Sequence, residues 1–180
     1  EIILEGIGVH SGERAIVTLR PSKPDSGITI KNKDFNQVIK IGQIIPEPAM
    51  HATVLKADQW AISTTEHLLA ALFGMGIDNA EIIIDGYEVP IYDGSALPFV
   101  QAIEESGIVQ QEKQKKIITP KKTLTFEHED RLITIEPNDT QEYNTQEYNT
   151  LELKFDYSVE FNHPLVKHNR MTGVMSANFF

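Results

Sequence analysis

Apolar and polar residues alternate along much of the first third of the chain. "EIILEGIGV" and "RAIVTLRPS" are two such runs, and the "HSGE" between them is a turn signal. "GITIKN", "QVIKIGQII" and "HATVLKADQWAIS" continue as short strands separated by Gly, Pro and Asp. Near Thr64 the period changes. Leu68, Leu69, Leu72 and Phe73 fall at the spacing of one helix face, which predicts a helix from about Thr64 to Phe73, stopped by Gly74 and Gly76. "NAEIIIDGYEVPIY" reads as a buried strand and a turn. "DGSALPFVQAIEESGI" predicts a second helix, with Ser95 as N-cap, Pro98 in the first turn and Gly107 at the end.

The polar run "VQQEKQKK" ends this pattern and reads as a linker. Strands resume at "KKTLTFEHE", "RLITIEPND" and "TLELKFDYSVEF", with "EHED" suited to a hairpin turn, and no helix is expected after them. The expected organisation is a first domain over residues 1–109, a linker over 110–116 and a second domain over 117–180. The expected fold class is α+β, with two helices packed on one face of a small mixed sheet. The tandem repeat "TQEYNTQEYNT", Thr140 to Thr150, is too short for a solenoid and is read as a duplication in an exposed loop.

Composition narrows the function. The 180 residues are 41% hydrophobic and 23% charged, which suits one large or two small globular domains. A net charge of −10 and a pI near 5.0 argue against general nucleic-acid binding. The absence of cysteine excludes disulfides and thiolate metal sites and agrees with a reducing compartment. No apolar run reaches the roughly 20 residues of a membrane span, and the N-terminal stretch lacks the pattern of a signal peptide. The chain begins without Met and ends on "SANFF", from which a partial chain is expected.

The chemistry concentrates at "STTEHLLAALFGMGIDN", where Glu66 and His67 adjoin at a helix start. Neighbouring helical side chains point about 100° apart. They share a site when the imidazole binds a metal and the carboxylate holds a water on that metal, as in a zinc hydrolase. The helix N-terminus favours the carboxylate and a neutral imidazole. A plainer account competes: Ser63-x-x-Glu66 before an apolar run is a capping-box signature, and His67 would then be a partly buried helix histidine. Taken alone, the pair favours the cap.

The surrounding blocks shift that balance. "GIGVHSGERAIVTLRPS", "HATVL" and "STTEHLLAALFGMGIDNAEIIIDGYEVPIYDGSALPFVQAI" follow one another in an order and spacing that resemble the UDP-3-O-acyl-N-acetylglucosamine deacetylases. These are zinc amidohydrolases of lipid A synthesis. The resemblance runs from about Ile3 to Ile108 and continues more loosely through "RLITIEP" and "FDYSVEFNHP". It implies a cytoplasmic enzyme that hydrolyses the acetamide of a UDP-linked, 3-O-acylated glucosamine. His67 matches the zinc ligand and Glu66 the general base. His10 matches a histidine near the active site, and His51 falls where relatives carry a polar residue near the metal. Asp93 and Ser95 are read as structural. His128, His163 and His168, the last in a polar tail, are expected to be solvated or structural.

The resemblance also implies a second domain of similar architecture, with the site where two helix layers meet. Its His-Lys-x-x-Asp helix and later general-acid histidine find no match here. The expectation is therefore a fragment, inactive alone, with the rest of its zinc site elsewhere. The alternative is a non-catalytic relative or interaction domain that keeps the fold.

Overall fold

The computed structural model describes residues 1–115, 118–137 and 153–175. By contact the chain divides into two compact units: Glu1–Lys113 with Leu153–Phe180, and Gln114–Glu152. The fold is α+β.

The first alternating run forms β1 (Ile2–Ile7), paired antiparallel with β2 (Arg14–Pro21). In β2 the alternation is expressed as burial: Ala15, Val17 and Leu19 point into the core. Next come β3 (Ile28–Asn32) and β4 (Val38–Lys40), an antiparallel pair. The short β5 (Leu55–Lys56) and β6 (Ala61–Ile62) turn the chain back and bury Trp60 before helix α1 (Glu66–Gly74). Strand β7 (Ala80–Asp85) then enters the sheet between β2 and β3, antiparallel to the first and parallel to the second. Helix α2 (Leu97–Ser106) follows. The resulting five-stranded sheet has the order β1-β2-β7-β3-β4 and is mixed, as expected.

Ile82 and Ile84 of β7 join Leu68 and Leu72 of α1 and Phe99, Val100 and Ile103 of α2 in one buried cluster with Val17 and Leu19 of β2. Each large side chain buried here contributes roughly 1.5–3 kcal/mol of hydrophobic stabilisation. The opposite face of the sheet carries exposed ion pairs, Arg14–Glu5 and Lys33–Asp85 among them.

Three local readings change. Helix α1 starts at Glu66, because Thr64 has a backbone φ of 57°, outside the helical region. Its inner stripe runs through Leu68, Ala71 and Leu72, three and four residues apart, and leaves Phe73 57% exposed. Gly76 ends the helix with φ 70°: its N–H donates to Phe73 O while Ile77 N–H donates to Leu72 O, a Schellman motif. At α2, Ala96 rather than Ser95 is the N-cap, and Pro98 lies in the first turn. Ser95 still fixes the approach, since its Oγ accepts the Leu97 N–H at 3.1 Å and Asp93 Oδ1 accepts both Ser95 N–H and Oγ–H. These bonds hold the Asp93 carboxyl below its usual range.

Beyond α2, β8 (Leu124–His128) and β9 (Arg131–Ile135) form an antiparallel hairpin with the "EHED" turn where expected. Strand β10 (Leu153–Glu160) pairs with β11 (His168–Met175) over eight residue pairs. This corrects the polar tail expected at His168: the residue opens a strand, opposite Glu160. In the connecting turn His163 Nδ1 accepts the N–H groups of Leu165 and Val166, a structural role. The tandem repeat and its loop reading lie outside the described residues, as does Lys116 of the expected linker.

Candidate active site

Three segments meet at the head of α1. The helix entry, 63–66, is fastened on both sides. Ser63 N–H donates to Tyr87 O and Val89 N–H donates to Ser63 O, each at 3.0 Å. The Ser63 amide is thus committed to Tyr87, and the capping box does not form. Glu66 Oε2 instead accepts the N–H of Thr53 at 2.9 Å, and Thr65 Oγ1–H donates to Thr53 O at 3.2 Å. One peptide unit on each side of the Thr53 α-carbon therefore fixes both the helix start and the Glu66 carboxylate. Glu66 and His67 are half-buried.

His10 comes from the turn between β1 and β2. Its Nε2–H donates to the backbone oxygen of His51 at 3.2 Å, because a carbonyl can only accept. His51 itself is exposed and has a φ of 60°. It contributes its carbonyl, and among the described residues its ring makes no hydrogen bond. The four expected residues therefore lie along one bonded path: His10 to His51, two residues on to Thr53, then to Glu66 and its neighbour His67.

The pattern reading missed Glu88. Its side chain is 4% exposed, yet it is charged. Oε1 accepts the His10 N–H at 3.0 Å and the Thr64 Oγ1–H at 2.9 Å, and Oε2 accepts the Ser11 N–H at 2.8 Å. Burial alone would raise its pKa; the Ser11 hydroxyl, the His10 and Ser11 amides and the Thr64 hydroxyl outweigh burial and bring it down to about 2. Gly8 leaves the room this needs, since a Cβ there would lie 2.2 Å from Glu88 Oε2 and 2.4 Å from Ser11 Oγ. Beside it opens a cleft of about 320 Å³ lined by His10, Ser11, Arg14, Ser63, Tyr87 and Glu88. In the sequence, "GYEVPIY" offered one weak signal, an acidic residue directly before an apolar run.

Of the remaining histidines, His128 ends β8 in the open, and His168 Nδ1 lies 3.8 Å from Glu160. Among the described residues no three His, Asp or Glu side chains come together as a metal-binding group. A catalytic zinc takes three protein ligands. The described residues offer His67 as one, so on their own they do not fit a zinc site.

Fold and site together define a two-layer α+β domain with a Glu–His pair at a helix head and a turn-borne histidine joined to it by hydrogen bonds. The LpxC family model, "UDP-3-O-acyl N-acetylglycosamine deacetylase", matches residues 1–180, and the chain belongs to that family. It is 36% identical over 171 residues to the UDP-3-O-acyl-N-acetylglucosamine deacetylase of Methylococcus capsulatus, an alignment covering 93% of this chain and 52% of the relative. It is 38% identical over 172 residues to the deacetylase of that name from Nitrosococcus oceani, covering 94% and 52%. For the Nitratiruptor relative of the same name the identity is 36% over 161 residues, covering 89% and 50%. The chain spans about half the length of the curated relatives it matches.

Proposed function

We propose that this chain supplies the Glu66–His67 part of a deacetylase site that hydrolyses the acetamide of UDP-3-O-acyl-N-acetylglucosamine, in the cytoplasm, as a step of lipid A synthesis. The observation that carries the reading is the fate of the Glu66 carboxylate. It is not spent on a helix cap. Thr53 N–H holds Oε2 and leaves Oε1 to take a proton from an attacking water. Family membership supplies the substrate class.

In this reading the cofactor is zinc, which would activate water and polarise the amide carbonyl. His67 gives one imidazole, and the reading requires two further ligands beyond the described residues. The chain therefore acts as one portion of a larger site and is inactive alone. His10 lines the cleft, and His51 is tied to it through its backbone carbonyl, which accepts the His10 ring N–H. Among the described residues no helix is long and apolar enough to cross a membrane.

The test uses the whole protein. His67→Ala lowers bound zinc and acetate release together. Glu66→Ala keeps zinc and loses turnover by about 10²–10⁴-fold. Unchanged zinc content and unchanged acetate release in both variants would overturn the assignment and favour the non-catalytic relative.

A further inference from the structure

We propose that Glu88 is a positioning residue of this site: its buried carboxylate locks the His10 turn to the entry of α1, so that His10 and the Glu66–His67 pair address one substrate. The kinetic part rests on the deacetylase reading; the structural part does not.

The donors decide this. Oε1 and Oε2 receive two backbone N–H groups from residues 10 and 11 and one hydroxyl from Thr64, and the Ser11 hydroxyl also favours the carboxylate. All are neutral, and among the described residues no Lys or Arg pairs with Glu88. A carboxylate accepts at every lone pair, so it can gather donors from separate segments at one point. A glutamine would bring its own N–H₂ against N–H groups. An apolar residue would strand buried donors from both segments.

The two gathered segments each end in a candidate catalytic group. One carries His10. The other carries Thr64, two residues before Glu66. Thr64 is 2% exposed and β-branched, and it sits at φ 57°, a conformation that persists only where its surroundings hold it. Its hydroxyl bond to Glu88 and the Ser63 pairing on either side of residue 88 supply that hold. Gly8 completes the arrangement, because any side chain there would displace the carboxylate.

The test pairs kinetics of the whole protein with amide NMR of this chain. In E88Q, kcat for acetate release falls by about 10- to 100-fold, as expected for misplaced groups, while KM stays within about threefold. Zinc content stays at the wild-type level. T64V loses the hydroxyl but keeps the shape and repeats the kcat loss in smaller measure; T64S restores wild-type kcat. By NMR, exchange at the His10 and Ser11 amides speeds at least tenfold in E88Q, on the order of one lost hydrogen bond. The Glu66 and His67 amide resonances shift with them, and Ile82 in β7 stays protected. Should E88Q fail to fold, T64V against T64S decides the question alone. Wild-type kcat in T64V, or unmoved Glu66 and His67 resonances in a folded E88Q, overturns the proposal. Wild-type protein that releases no acetate removes the deacetylase reading instead, and the amide measurements still judge the lock.

Discussion

Two antiparallel pairs in this molecule are equally regular and physically unlike. β2 against β7 and β8 against β9 both form complete ladders. In the first, every second side chain is covered by α1 and α2, and Val17, Ile82 and Ile84 reach 0% exposure. In the second, Leu124, Phe126, Ile133 and Ile135 share one face by register, yet all are more than half exposed. The same alternation yields a core in one place and a bare ribbon in the other. The difference is a second layer. A two-stranded ribbon alone is at best marginally stable. Backbone pairing follows from local pattern, whereas stability follows from what lies across the apolar face.

The comparison is broken most directly by truncation on each side. Phe99→Ala, at a fully buried α2 position, costs about 3–5 kcal/mol in urea unfolding, whereas Phe126→Ala in β8 stays within about 0.5 kcal/mol. Equal losses would show that the ribbon is as well packed as the sheet. Gly8→Ala follows, at about 1–3 kcal/mol, because its methyl group must displace the Glu88 carboxylate or the Ser11 hydroxyl; a neutral substitution would show the turn to be slack.

Acid sharpens the same point. The folded carboxyl of Glu88 lies near 2, below its ordinary 4.5. Its ionisation therefore stabilises the fold fully above pH 4.5, and that stabilisation is lost as pH falls toward 2. The advantage of wild type over E88Q, on the order of 2–3 kcal/mol at neutral pH, should narrow across that interval in denaturant titrations. A gap that stays constant would mean the carboxyl is not held as an anion. The smallest effect is expected at Ser63→Ala, within about 0.5 kcal/mol, since the Ser63 amide rather than its side chain anchors the helix entry. A loss of 1 kcal/mol or more, the usual scale of a cap, would restore a capping role.

How much was legible follows from range. β1, β2, β7 and α2 were visible because side-chain alternation or helical spacing lies within each segment. β11 was not: "HNRMTGVM" has a central Gly and no clean alternation, and only its eight pairings with β10 define it. The Glu66–His67 pair was visible as neighbours, but its competing account turned on where the Ser63 amide goes, which Tyr87 decides from 24 residues away. Glu88 was least visible. Its donors lie 78, 77 and 24 residues off, and nothing in "GYEVP" announces them. The apolar face of α1 was placed one position off because Leu69 and Phe73 resemble core residues in type, while small Ala71 fits where the helix meets the sheet.

The central place of β7 also governs how the chain assembles. β2 and β3 share no backbone bonds, and β7 alone joins them, though more than forty residues separate it from β3 in the chain. During synthesis a ribosome must release the polypeptide through Asp85 before the two amino-terminal hairpins acquire a common neighbour. Until then their inward edges stay open, a delay inherent to distant pairing.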